Sequence, residues 1–197
     1  MKRVSKQTAA QLRIIGGMWR GRKLTVVEHP GLRPTGDRVR ETLFNWLQRY
    51  LPQANCLDLY AGSGALGFEA ASRGARHVLM VEKEAQAIKT LQENKALLQA
   101  DNVQLMHRIA LDVLKAKVEE KEKSFDIVFL DPPFQQGELQ ECVKHLEQSG
   151  RLSDDAVIYI ECESKLKLNF LPATWVERRQ KKAGQVVYCL YQRETND

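Results

Sequence analysis

No run of apolar residues in the 197-residue chain approaches the roughly 18 that cross a bilayer as a helix, so no membrane span is expected. The opening octet, Met1-Lys2-Arg3-Val4-Ser5-Lys6-Gln7-Thr8, lacks the apolar core of a secretory leader, and the expectation is a cytoplasmic protein. Cysteine is scarce: Cys56, Cys142, Cys162 and Cys189 lie scattered without CxxC or metal-ligand spacing. Cys56, Cys162 and Cys189 sit in apolar strand-like runs, which predicts buried reduced thiols, with no disulfide and no metal site. His29, His77, His107 and His145 pair with no nucleophile or ligand cluster. Internal repeats, low-complexity linkers and a second globular unit are also missing, leaving one α/β domain with a modest appendage.

Acids are scarce at one end only. Residues 1–50 carry eleven bases against three acids, a local balance of +8, which leaves −3 for the rest of a chain whose net charge is +5. A basic front on a neutral-to-acidic body suits a polyanion met by the amino-terminal region, although basic tails also serve solubility.

Within that front, residues 1–10 are polar and unpatterned, a basic tail expected to be disordered. Leu12 to Trp19 and Lys23 to Val27 read as two short strands joined by the turn Arg20-Gly21-Arg22. Arg20, Arg22 and Lys23 beside Trp19 put cations next to a stacking surface suited to single-stranded nucleic acid, while Trp19 serves equally well to pack the hairpin onto the domain. Thr35 can cap a helix whose apolar stripe is Val39, Leu43, Phe44, Trp46, Leu47 and Tyr50. Arg38 and Arg40 fall largely off that stripe, as a solvated face or as RNA contacts, and Arg33 and Arg38 near the helix start make a phosphate clamp. Pro52 ends this unit, so the expected division is a tail over 1–10, an extension over 11–52 and a body over 53–197.

The body alternates strands and helices with the regularity of a parallel sheet. The expected strands are 56–60, 77–82, 103–107, 125–130 and 156–161, with helices over 65–73, 85–98 and 138–148; 175–179 and 186–191 read as a closing antiparallel hairpin. The run 115–123 is charged and reads as an exposed helix end and loop.

Two stretches carry chemistry. Gly62-Ser63-Gly64-Ala65-Leu66-Gly67 is a GxGxxG between a strand and a helix, and Glu82 ends the next strand as an acceptor for ribose hydroxyls. This points to a nucleoside-containing cofactor without separating a dinucleotide from S-adenosylmethionine. An edge lined by Asp58, Glu82, Asp112 and Asp131 suits a cationic sulfonium better than a pyrophosphate. The second stretch is Phe125-Asp126-Ile127-Val128-Phe129-Leu130-Asp131-Pro132-Pro133-Phe134, an apolar strand stopped by two prolines. It holds a carboxylate and an aromatic ring on a stiff turn at the carboxyl edge of the sheet, where ligands of open α/β sheets bind.

Leu57-Asp58-Leu59-Tyr60-Ala61-Gly62-Ser63-Gly64 and Asp131-Pro132-Pro133-Phe134 resemble the cofactor and amino-methylation motifs of class I S-adenosylmethionine-dependent methyltransferases. With Arg33-Pro34-Thr35, Arg38 to Asn45, Ala65 to Ala70 and Ser72 to Ala75, the set is similar to the bacterial 16S ribosomal RNA guanine-N2 methyltransferases of the RsmD family, from about Leu12 to Arg193. Tyr60 and Phe134 stand where the family pattern has Phe and Tyr; an aromatic ring survives at both. The resemblance implies a Rossmann-like fold with a seven-stranded, mostly parallel sheet whose last strand is reversed, plus the amino-terminal hairpin and helix. It also implies S-adenosylmethionine as cofactor and a guanine of 16S ribosomal RNA as substrate, in the assembled small subunit ahead of free RNA. The separate expectation for partners is a monomer acting without metal.

On that reading Asp131 and the Pro132 carbonyl accept the two hydrogens of the amino group, and Phe134 stacks on a flipped base. Glu82 holds the ribose and Asp112 the adenine amino group; Tyr60, Gly62 and Gly64 line the cofactor, and Asp58 orients the glycine loop or the methionine ammonium. Rival readings are amino-methylation of another RNA, of DNA or of protein glutamine, a nicotinamide-dependent reductase, and a non-catalytic RNA-binding protein.

Overall fold

The computed structural model describes residues 10–26, 36–118, 124–133 and 137–195. Arg33, Thr35 and Phe134, with the roles expected of them, lie outside these residues. In chain order the elements are β1 (Ala10–Arg13), β2 (Lys23–Val26), α1 (Asp37–Trp46), β3 (Asn55–Asp58), α2 (Ala65–Ser72), β4 (His77–Glu82) and α3 (Ala85–Leu98). They continue with β5 (Val103–His107), α4 (Ala110–Lys115), β6 (Phe125–Leu130), α5 (Glu138–Gln148), β7 (Leu152–Glu163), β8 (Trp175–Ala183) and β9 (Val186–Arg193).

Seven strands form one sheet in the order β5-β4-β3-β6-β7-β9-β8. β3 pairs in parallel with both β4 and β6, β6 in parallel with β7, and the final strand β9 runs antiparallel to its neighbours β7 and β8. This is the expected sheet with its reversed last strand. Succession changes direction between β3 and β6, and the carboxyl ends of those two strands form the switch point where open sheets bind ligands.

Period-2 alternation divides the core between the two faces. Cys56, Ile127, Phe129, Val157, Tyr159, Tyr188 and Leu190 face the layer containing α2, α3 and the apolar side of α1. Leu57, Val128, Leu130, Ile158, Ile160 and Cys189 face α4 and α5. The amino-terminal hairpin is built into the first layer: Leu12, Ile14, Leu24 and Val26 are buried in the same cluster as Phe44 and Phe68. All four cysteines are buried and free. No helix among the described residues is long and apolar enough to cross a membrane.

The hairpin differs from expectation in a way that has a cause. The expected eight-residue first strand stops at Arg13, because the amides of Ile15 and Gly16 turn to the Glu69 carboxylate, at 2.8 Å each, and Gly17 takes a left-handed φ of 76°. Ser72 completes the clamp: its hydroxyl donates to Gly16 O at 2.6 Å and accepts from Trp19 N at 3.0 Å, and its carbonyl accepts from Met18 N. On α3, Asn94 brackets Thr25 by accepting from its N–H and donating to its carbonyl. Trp19 is half-buried against the core.

Other limits also shift. Gly36 stands at the start of α1 with no side-chain cap. β7, β8 and β9 each run longer than expected, since cross-strand pairing extends strands through polar residues such as Ser153 to Asp155 and Gln180 to Lys182. The short helix α4 was not among the expected helices, and Asp112 lies in its first turn.

Candidate active site

Two loops meet at the switch point. The first leaves β3 at Asp58, passes Gly62 and Gly64, and enters α2 at Ala65; the second leaves β6 at Leu130 and runs through Asp131-Pro132-Pro133. Asp58 and Phe129 are register partners, so the second loop leaves its strand one residue later than the first.

The glycine loop is held in shape by two acids. Glu82, at the end of β4, accepts from Gly62 N–H through one oxygen and from Glu84 N–H through the other, both at 2.8 Å. A carboxylate offers about four lone-pair positions, so two remain for hydroxyl donors. Asp58 is 2% exposed and accepts from Gly67 N–H at 3.1 Å. Gly64 adopts φ 80° at the N-cap of α2, and a Cβ there would meet Phe68 and Leu91 side chains at 2.6 and 2.7 Å. A Cβ on Gly67 would meet Met80 at 2.7 Å, so the third glycine of the motif lets α2 sit close on β4.

Burial raises the Asp58 carboxyl to about 7 from its ordinary 3.8, against the lowering effect of the Gly67 and Tyr60 backbone amides. Between about pH 4 and pH 7 the folded protein therefore keeps a proton that the unfolded chain releases, and this group's contribution to stability declines as pH rises through that window. Asp58→Asn keeps an acceptor for Gly67 N–H and removes the ionisation. Its denaturation midpoint, followed from about pH 4 to about pH 8, should gain on wild type as pH rises; parallel curves for the two proteins would contradict the assignment.

Tyr60 is half-buried and turned toward α5, where its hydroxyl donates to Glu138 at 3.1 Å and lies 2.9 Å from Cys142 Sγ. Burial, then Cys142 and Glu138, hold its ionisation well above the usual tyrosine range, so it is a neutral donor. Asp112 is exposed on α4.

At the second loop, Asp131 is half-buried and Pro132 is buried. Alternation carries Asp131 onto the face of Ile127 and Phe129. Leu130 is paired with Ile160, which sets Asp131 beside Glu161 of β7. Glu161 is 8% exposed and accepts from Tyr159 OH at 2.8 Å. Burial first, then the charges of Glu161 and Asp131, push the Tyr159 phenol well up, so it stays protonated and donates. These two buried partners of the Asp131 turn were missed in the sequence. Their signal was a tyrosine and a glutamate two apart in the otherwise apolar run 156–162.

Of the residues expected to meet RNA, Arg20, Arg22, Lys23 and Arg38 are exposed. Arg22 also donates to Leu97 O at 3.0 Å, which fixes the hairpin tip against the end of α3. Arg40 requires a correction. Its side chain is fully buried, bonded to Asp37 at 2.6 Å and Arg13 O at 3.0 Å, with Glu69 3.7 Å away. It neutralises a buried acid beneath the hairpin and presents nothing to solvent. Among the described residues no group of three or more His, Cys, Asp or Glu is placed to hold a metal ion.

The donor set suits a cationic nucleoside cofactor: the acids Glu82 at the end of β4 and Asp131 just past β6, beside a glycine loop whose shape Glu82 and Asp58 fix. Comparison with known proteins agrees with this arrangement. Residues 12–192 match the model of the family described as Conserved hypothetical protein 95. The chain is 48% identical over 194 residues to ribosomal RNA small subunit methyltransferase D of Escherichia coli K12, covering 98% of this chain and 96% of that protein. It is 42% identical to the Haemophilus influenzae protein of the same name, covering 98% of this chain and all (100%) of that one. The solved structure of Escherichia coli yhhF superposes with a TM-score of 0.85 at 49% identity, covering 95% of this chain and 100% of that one. The chain belongs to the Conserved hypothetical protein 95 family, which is the family of the ribosomal RNA small subunit methyltransferase D (RsmD) proteins.

Proposed function

We propose that this protein transfers a methyl group from S-adenosylmethionine to the exocyclic N2 amino group of a guanine in 16S ribosomal RNA, with the assembled small subunit as substrate. The observation that carries the reading is the Asp131-Pro132-Pro133 turn beside the glycine loop at the switch point of the sheet. The relatives named ribosomal RNA small subunit methyltransferase D support ribosomal RNA as the class of substrate. The protein works in the cytoplasm as a monomer and uses no metal.

Bound S-adenosylmethionine supplies an electrophilic methyl group on a sulfonium. Glu82 would hold its ribose hydroxyls and Asp112 its adenine amino group, and the backbone at Gly62 and Gly64, with Tyr60, would line its methionine part. Asp58 works indirectly by fixing Gly67 N–H and the loop. The exocyclic nitrogen of guanine is a poor nucleophile because its lone pair is delocalised into the ring. Asp131 and the Pro132 carbonyl each accept one amino hydrogen, favour a pyramidal nitrogen and aim its lone pair at the methyl group. Phe134 stacks on the flipped base. Asp131 need not be a strong base, because methylation itself makes the nitrogen's proton acidic. Tyr159 and Glu161, hydrogen-bonded to each other, shape the wall beside Asp131.

Residues 53–197 form the catalytic body on this reading, residues 11–52 the RNA-contacting extension and residues 1–10 its basic tail. Charge reversal at Arg20, Arg22 and Arg38 together should weaken RNA binding and flatten its log–log salt dependence by about 2, at ~0.7 per lost phosphate contact, with S-adenosylhomocysteine affinity unchanged. An unchanged salt slope would make these three a solvated face. Calorimetry with S-adenosylhomocysteine and with NAD(P)H tests the cofactor: binding of the first alone is expected, and binding of the second alone would point to a reductase.

A further inference from the structure

One edge of the sheet lies outside everything assigned so far. β8 is the outermost strand, and Arg178, Arg179, Lys181 and Lys182 on it are exposed. Arg178 is paired with Glu194, whereas no ion pair among the described residues involves Arg179, Lys181 or Lys182. Edge strands often carry lysines merely to discourage pairing with other chains. Here the register adds something that such a role does not require.

Glu161 pairs with Tyr188, and Tyr188 with Lys181, so these three form one row across β7, β9 and β8, and Asp131, one residue past the Leu130–Ile160 pair at the end of β6, continues that row on the same face. Arg179 pairs with Leu190 and stands on the same face. The row spans three strand spacings, ~14 Å from Asp131 to Lys181. Trp46, from the end of α1, lies over it: its ring stacks on Tyr188 with centroids 5.4 Å apart, and Lys181 Nζ is 6.0 Å from the Trp46 centroid. The face of Asp131 therefore ends, two strands beyond Glu161, in two exposed cations beside an indole ring.

We propose that Arg179 and Lys181 hold backbone phosphates of the nucleotides flanking the methylated residue, with Trp46 as the neighbouring ring surface. This rests on the reading of the protein as an RNA methyltransferase and extends its RNA contact to the far edge of the sheet. An anionic strand is the partner that fits: its target base sits at Asp131, and its backbone leaves along the row toward unpaired cations. A second contact on the side away from the amino-terminal hairpin also grips the strand at two points, which orients a flipped base better than one.

The test is the double variant R179E/K181E, both sites being exposed on an edge strand, with R179Q/K181Q as a milder form and R179K/K181R as the charge-keeping control. KM for undermethylated small subunits should rise at least tenfold in the Glu variant. Its binding to deproteinised 16S ribosomal RNA should lose about 1.4 from the log–log salt slope, two phosphates at ~0.7 each. S-adenosylhomocysteine affinity and the thermal midpoint should match wild type, and the charge-keeping control should behave as wild type. Wild-type KM and salt slope in the Gln and Glu variants would overturn the proposal. So would a defect confined to intact subunits, which would mean a protein partner. Wild-type protein that methylates no ribosomal RNA is a separate failure, of the underlying function, and removes the proposal with it.

Discussion

Asp131→Ala should fold, bind S-adenosylhomocysteine like wild type, and lose about 10²–10³ in kcat for methyl transfer to small subunits, ~3–4 kcal/mol of transition-state stabilisation. The size follows from the work assigned to this carboxylate. In the proposed mechanism it accepts one amino hydrogen, and its charge favours the positive character that develops on nitrogen during methyl transfer. Asp131→Asn keeps the shape and one acceptor but loses the charge, and should fall by nearly as much. Pro132 is buried and anchors the turn, so the loss should appear in kcat with little change in KM for the subunit. Single-turnover transfer with saturating cofactor measures it. Full turnover by either variant would remove Asp131 from the chemistry.

The second large effect concerns the fold. Glu69 has no exposed side-chain surface and is shared by four groups: the amides of Ile15 and Gly16, the Arg73 guanidinium at 2.7 Å and the buried Arg40 guanidinium at 3.7 Å. Removing one partner of a buried pair costs ~3–5 kcal/mol because the other charge is left uncompensated. Glu69→Ala should therefore lower the thermal midpoint by about 10 °C and free the hairpin from α2. Two nitrogens of Arg40 already lack a hydrogen-bond partner, so this site has no spare acceptor. Glu69→Ala combined with Arg40→Met should recover part of the loss, since the stranded guanidinium is gone. A double variant no more stable than the single one would show that the hairpin amides, and not the ion pair, dominate.

The body of the fold was legible because its signals are local. Strands β4 and β5 and helices α3 and α5 start and stop where apolar periodicity and turn residues place them. The candidate site was legible where it lies in short motifs: Gly62 to Gly67 lies between β3 and the first turn of α2, and Asp131 to Pro133 follows β6, as the local pattern places them. Three things were hidden. Arg40 sits off the apolar stripe of α1, and only the hairpin folding back over that helix buries it, a contact between segments far apart in sequence. Glu69 reads as an ordinary helical acid until two hairpin amides and two guanidinium groups converge on it. The row from Asp131 to Lys181 depends on pairing across four strands, which alternation within any one of them does not predict.

The proposed chemistry therefore rests on the strand-end turns, while ribosomal RNA as the class of substrate rests on the basic surfaces around them and on the relatives. The most direct measurement is transfer of a tritium-labelled methyl group from S-adenosylmethionine to undermethylated small subunits, free 16S ribosomal RNA, DNA and protein, followed by nucleoside analysis. Label is expected in N2-methylguanine, with intact subunits as the best acceptor. Label in an adenine, a cytosine or a glutamine, or no transfer to ribosomal RNA at all, would contradict the proposed function.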